Sequence, residues 1–261
     1  MKQEVLWVIG AVALVALGAL FYFQRQQEAL EQQGDVEVGA PVAPGGEAQI
    51  QNPVPAGEAN EAPLPALNES DQAARDSLVG LFGEDAVAQF LVPKDVVRHF
   101  VVTIDNLPRK KVALKMRPVT ETPGNFATTG EGDSVTLDAA NSARYEPLVK
   151  IIGATDSKQI AALYLRFYPL FQRAYEDLGY PSAYFNDRLV EVIDHLLETP
   201  EVKGPIKLVQ PRVYFEFADP ALESRSTGQK LLIRLGSENA AVIKAKLREI
   251  RDEVVAGGQK Q

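Results

Sequence analysis

Hydrophobic residues follow three different patterns along this chain. Residues 5–23, VLWVIGAVALVALGALFYF, form an unbroken run of 19 residues without a charge. As a helix that run is about 28 Å long, close to the ~30 Å hydrocarbon core of a bilayer. Residues 34–66 have no apolar period at all. From Asn68 onward apolar positions recur at i, i+3 and i+4, the period of helices that bury one face.

Punctuation along that last stretch predicts a mainly α, single globular multi-helix domain over 67–256 with a short β-hairpin or strand element. Asn68 or Ser70 can cap a first helix that Gly83 ends, and a short helix over 84–91 follows. A third covers 94–107, KDVVRHFVVTIDNL, where Val96, Val97, Phe100, Val101 and Ile104 share a face, and Pro108 closes it. The irregular stretch beyond it ends in a hairpin, FATTG-EGD-SVTLD, with glycine-bearing turn chemistry. Asp138 then caps a helix reaching Ile152, and Asp156 or Ser157 opens a long one ended by Gly179. Ser182 is expected to cap the next, which Pro200 stops. A β segment is expected around 207–209 and 213–217. One helix should run from the Asp219-Pro220 start to Gly236, and Ser237 should open the last, ended by Gly257-Gly258. No repeat is visible, which argues against a solenoid.

The run at 5–23 reads as one transmembrane helix, preceded by a cytoplasmic N-terminus of residues 1–4. Trp7 lies near one end and Phe21, Tyr22 and Phe23 at the other, where amphipathic rings favour the interface. A cleavable signal peptide would have an apolar core of only ~7–15 residues, and the aromatic end argues against cleavage. Without cysteine there is no lipoprotein anchor. Lys2 and Arg25 nearly balance across the span, so the expected orientation rests on the signal-anchor layout, with the bulk of the chain outside. Residues 24–66 form a membrane-proximal segment and flexible linker: over 34–66 there are six prolines, five glycines and five carboxylates, and no Lys or Arg. Such a composition does not bury enough surface to offset its ordering entropy. Residues 257–261 are a tail. Only two of the 27 basic and eight of the 35 acidic residues precede residue 67, leaving the folded part near neutral, which argues against a nucleic-acid partner.

Candidate chemistry is sparse. There is no G-x-S-x-G elbow, no phosphate-binding glycine loop and no cysteine nucleophile. Tyr164, Phe167, Tyr168, Phe171 and Tyr175 fall at i, i+3, i+4, i+7 and i+11, one stripe on a helix interrupted by Pro169. A ring stripe at this spacing is first the core of a helical domain. The alternative is a groove in which tyrosines and arginines stack on a sugar or hold a peptide. His99 lies on a polar helix face with Asp95, Thr103 and Asn106. His195 sits in E-x-x-D-H-x-x-E with Glu191, Asp194 and Glu198. That pattern can present two side chains to a metal but lacks the paired histidines of H-E-x-x-H, so ordinary solvated pairing is the simpler reading. A joint site would require His99 and His195 to converge. Three basic residues follow Asp105, Asn106 and Pro108 in TIDNLPRKK, favourable at a helix C-terminus and available for docking.

Four stretches carry a family resemblance: FVVTIDNLPR at 100–109, FYPLFQRAYEDLGYP at 167–181, YFNDRLVEVIDHLLETP at 184–200 and GPIKLVQPRVYFEFADP at 204–220. Together they resemble a bacterial family known only as domain of unknown function 3014, over about residues 67–253. The resemblance implies single-span envelope proteins of Gram-negative bacteria and brings no activity, ligand or catalytic residue with it.

The expectation is therefore a membrane-anchored periplasmic binding or scaffolding module, single-pass in the bacterial inner membrane with its C-terminal domain in the periplasm. Its partners would be the bilayer, through residues 5–23, and an envelope protein or cell-wall material. No cofactor and no metal are expected. Candidate surface residues are Asp105, Asn106, Arg109, Tyr180, Tyr184, Asn186, Arg188 and His195. The alternative is a cell-wall-directed enzyme or metal-dependent hydrolase with its site near His99 and His195, which predicts a cleft where the two histidines meet.

Overall fold

The computed structural model describes residues 50–54, 63–111, 116–122 and 124–258. The expected span at 5–23 and its cytoplasmic N-terminus, the end of the tail and most of the linker lie outside these residues. Among the described residues no helix is long and apolar enough to cross a membrane.

Among the described residues, ten α-helices and two small antiparallel hairpins make the mainly helical domain. After a 3-10 turn at Leu67–Glu69 come α1 (Asp71–Phe82), α2 (Glu84–Phe90) and α3 (Val96–Asn106). The first hairpin pairs β1 (Thr128–Thr129) with β2 (Thr136–Leu137), and α4 (Ala140–Ala143) and α5 (Glu146–Ala154) follow. Then come α6 (Ser157–Asp177), α7 (Phe185–Leu197), the hairpin of β3 (Leu208–Val209) with β4 (Glu216–Phe217), α8 (Pro220–Glu223), α9 (Thr227–Arg234) and α10 (Ser237–Gly258).

The ring stripe is core. Tyr164, Phe167, Tyr168, Phe171 and Tyr175 are all buried, and α6, which carries them, packs against α3, α7 and α10. Phe171 stands at the centre, its ring centroid 4.8 Å from Phe100 on α3, 5.4 Å from Tyr164 and 6.0 Å from Phe185 on α7. Pro169 lies inside α6 without ending it. A satellite cluster of Leu208, Phe217 and Ile233 seats the hairpins on α9. A Thr136–Lys207 bridge and the Leu137 N–H to Ile206 carbonyl bond (2.9 Å) join the two hairpins edge to edge.

Three expected boundaries are corrected. The helix expected from Asp138 to Ile152 breaks at Arg144–Tyr145, because Pro147 has no N–H to donate back across that turn. The helix expected from Asp219 to Gly236 is two helices: Asp219 caps α8 by accepting the Ala221 N–H, and Ser226 caps α9 by accepting the Gln229 N–H. Ser182 does not cap α7, whose N-cap is Tyr184. There the first helical N–H, at Phe185, donates to Gln172 Oε1 of α6 (2.8 Å), and Gln172 Nε2 donates to the Ala183 carbonyl (2.9 Å). A neighbouring helix thus satisfies a donor that local capping leaves open.

One part of the expected linker is seated on the domain. Residues 51–54 lie along the first turn of α7, Asn52 and Val54 turned inward and Gln51 and Pro53 outward.

Candidate functional site

Seven of the eight candidate residues divide among three places. At the first, the C-terminus of α3 meets the first turn of α7. Asp105 lies in the last turn of α3 with its side chain only 4% exposed, because the helix delivers it into the angle between α7 and the 178–184 turn. Its Oδ2 accepts from Arg109 Nη2 at 2.5 Å and from the Tyr180 hydroxyl at 3.3 Å, and its Oδ1 accepts from Arg188 Nε at 3.0 Å. Arg188 also donates from Nη2 to the Asp105 carbonyl (2.9 Å) and from Nη1 to Glu191 (2.9 Å). Arg109 donates to the Tyr180 hydroxyl at 2.8 Å, and the Tyr180 ring stacks on Tyr175 with centroids 4.5 Å apart. The i, i+4 spacing of Asp105 and Arg109 carries Arg109 past the helix end, where its cation also complements the terminal carbonyls. Burial pushes the Tyr180 hydroxyl pKa up, and the Asp105 charge adds to that. Burial works against the Arg188 cation, but the Glu191 hydrogen bond and the Asp105 charge outweigh it and raise its pKa. The corner thus sets one buried carboxyl side chain against two guanidiniums and one phenol.

Asn106 does not join this corner; its Nδ2 turns back to the Val102 carbonyl at 2.7 Å.

At the second place, Tyr184 and Asn186 hold residues 51–54 together with Asp187, which sequence reasoning missed. The Asp187 carboxylate accepts from the Gln51 N–H (3.0 Å), the Asn52 N–H (2.6 Å) and Asn52 Nδ2 (2.9 Å). Asn186 Nδ2 donates to the Asn52 carbonyl (2.9 Å), and its Oδ1 accepts from the buried Tyr164 hydroxyl (2.9 Å). The Tyr184 hydroxyl accepts from the Val54 N–H at 2.7 Å. The sequence signal for Asp187 was its place in the first turn of α7, where an acid is favoured at the positive helix end. Nothing at Asp187 itself reveals its partner some 135 residues upstream.

The third place holds His195 alone. Its Nε2 is 2.8 Å from Ser226 Oγ, while Gln229 Nε2 donates to its carbonyl at 2.9 Å. Burial lowers the His195 pKa, and Glu198 and Glu191 partly counter it. Ser226 is itself buried and caps α9, so this pair ties the end of α7 to the start of α9.

His99 is elsewhere. It is buried near the N-terminus of α3, and burial lowers its pKa against the charge of Asp95. It precedes Phe100, whose ring packs 6.3 Å from Phe185 at the start of α7, whereas His195 lies ten residues further along α7, about 15 Å of helix. The two histidines share no partner. Two of the acids around His195 are engaged: Asp194 by the Arg251 guanidinium through both oxygens, and Glu191 by Arg188. Among the described residues no three His, Cys, Asp or Glu side chains gather as metal ligands.

A cavity of about 70 Å³ lies between α1, α2 and the core, lined almost wholly by apolar atoms of residues such as Ala74, Leu78, Phe90, Val96 and Phe171. A wider cleft of about 660 Å³, lined by both polar and apolar groups, runs between residues 199–206 and the start of α10.

A mainly α domain, braced by a buried carboxylate–arginine corner, is the class these features define. Residues 96–251 match the family described as a protein of unknown function, DUF3014, and the chain belongs to that family. The match begins at α3, leaving α1 and α2 outside it. No curated protein and no solved structure matches the chain.

Proposed function

We propose that this protein is a binding or scaffolding module, anchored in the bacterial inner membrane by residues 5–23 and presenting its helical domain to the periplasm on the segment that follows. The observation that carries the reading is the convergence of Asp105, Arg109, Tyr180 and Arg188. They come from three separate stretches of chain and meet where α3 ends and α7 begins, beside Tyr184 and Asn186. Arg109 keeps about a third of its side chain exposed (35%), and Tyr180 is half-buried, so the corner offers a cation and a phenol outward from a buried acid that holds them still. Preordered arginine and tyrosine side chains are the groups that anchor protein interfaces, because little rotamer entropy is left to lose. A carboxylate on an envelope protein or on cell-wall peptide is the group that such a corner fits.

A photo-crosslinking residue at Lys110 or Glu191, flanking the corner, should capture a discrete envelope partner in living Gram-negative cells. The same residue at Val242 on the exposed face of α10 should not. Capture should fall in an Arg109→Glu variant. Equal capture from both faces, or none above a variant lacking residues 63–258, would sink the reading. Anchoring is tested separately by a C-terminal alkaline phosphatase fusion, which is active only outside the cytoplasm.

A further inference from the structure

We infer that the first turn of α7 is a recognition site for an extended Asn-Pro-aliphatic peptide, and that residues 51–54 of this chain are its intramolecular ligand. This goes beyond the proposed function and holds whether or not the chain is anchored.

The site treats residues 51–54 as a ligand is treated. Asn52 and Val54 face the domain and Gln51 and Pro53 face away, the alternation of an extended strand. The backbone donors at 51, 52 and 54 are each met by a side chain of the domain: Asp187 takes the first two and the Tyr184 hydroxyl the third. Asn186 supplies the donor for the Asn52 carbonyl. Position 53 is the only one whose N–H has no acceptor from the domain, and it is proline, which has none to offer.

Two side chains are read as well. The Asn52 amide donates to the Asp187 carboxylate at 2.9 Å, which an aspartate there could not do. Val54 packs against the apolar core. The receiving groups are themselves held in place: Asn186 is fully buried and fixed by Tyr164, and Tyr184 packs its ring 5.4 Å from Tyr168. A preorganised receptor spends its hydrogen bonds on the peptide and little on ordering itself. The chemistry therefore selects an unmodified extended segment with asparagine, then proline, then an aliphatic residue.

Because residues 51–54 are tethered, they compete at high effective concentration with any such peptide in solution. On the anchored reading the docked segment also sets reach: its release frees the 13 residues from 51 to 63, ahead of Leu64 on the core, about 45 Å of extended chain.

The full-length chain tests this in two measurements. Amide exchange at 51, 52 and 54 should be slow in the wild type and ~10–100-fold faster in Asp187→Ala, which removes three hydrogen bonds, with the core amides of α6 unchanged. Unprotected amides in the wild type overturn the assignment, and so does protection that appears only as the chain dimerises. In the second measurement a fluorescent peptide of residues 47–57 is titrated into a full-length variant carrying Asn52→Ala, Pro53→Gly and Val54→Gly. The peptide should bind this variant at least ~10-fold more tightly than the wild type, and binding should vanish when Asp187→Ala is added. A peptide that fails to bind the emptied variant, or binds it equally with Asp187→Ala, overturns the proposal without touching the Asp105 corner.

Discussion

Replacing Asp105 by alanine is the sharpest test of how the domain is braced. In the folded protein its carboxylate has one oxygen on Arg109 and Tyr180 and the other on Arg188, with only 4% of the side chain exposed. Removal leaves Arg188, 17% exposed, without its buried acid, and Arg109, 35% exposed, with water as a substitute. Breaking a buried ion pair from one side costs about 3–5 kcal/mol when the remaining charge has no solvent. Arg188 keeps Glu191 and the Asp105 backbone carbonyl, and Arg109 can swing outward, so the low end applies: about 3 kcal/mol. Arg188→Ala should cost less, about 1–2 kcal/mol, because Asp105 then keeps Arg109 and Tyr180. Urea unfolding of the full chain gives both values, with an unchanged slope showing that the same surface is exposed. The double variant should cost less than the two singles together, since both remove the same bond. An Asp105→Ala cost below about 1 kcal/mol, or one smaller than that of Arg188→Ala, would refute the placement of the acid at the centre of the corner.

Three other outcomes follow from the packing and the charges. Burial lowers the pKa of both His99 and His195, so the unfolded chain takes up protons near pH 6.5 before the folded one does. Stability should be full above that pH, fall as pH drops through it, and level off below the folded values; a urea midpoint unchanged from pH 7.5 to 5.5 would contradict this, and His99→Gln with His195→Gln should flatten the profile. Gly228→Ala should destabilise by about 1–3 kcal/mol, because the new Cβ would stand 2.5 Å from Leu196 Cδ2 and 3.1 Å from the Leu107 carbonyl; thermal unfolding reads it. The half-open apolar pocket between α1, α2 and the core should take up xenon, seen as methyl shifts at Leu78 and Val96, since walls so poor in polar atoms give water few partners.

What the sequence made legible was whatever repeats at helical spacing. The ring stripe from Tyr164 to Tyr175 follows the 3.6 period, which favoured core over a groove, and the rings are buried. Glycines at positive φ, Gly83, Gly179 and Gly236, stand just beyond helices where the pattern ended them. The split between α8 and α9 was also written in the sequence: Ser226 with Gln229 three residues on is a capping signature, overshadowed by the apolar run that follows. The start of α7 was not legible, because the group that satisfies its first N–H is Gln172 on another helix. Composition hid the docked segment for a different reason. Proline and glycine content averaged over 34–66 describes a chain that cannot fold by itself, whereas Asn52 and Val54 need only a receptor elsewhere. Of the eight candidate surface residues, four meet at the Asp105 corner and two hold residues 51–54. Asn106 closes on its own helix, and His195 joins α7 to α9.

The two recognition features belong to consecutive residues of a single turn, and helical geometry accounts for it. Positions 184 to 188 span a little over one turn, so their side chains point in every direction around the axis. Arg188 reaches Asp105 on α3, Asp187 reaches the backbone of 51 and 52, and Asn186 bridges Asn52 to the Tyr164 hydroxyl inside the core. Phe185, between them, is wholly buried among Phe100, Phe171 and Tyr175 and holds the turn in register. Loosening Phe185 would therefore disturb both places together, whereas changes at Asp187 or Arg188 act on one each. This separation is what lets the docked segment and the acidic corner be tested independently in the same protein.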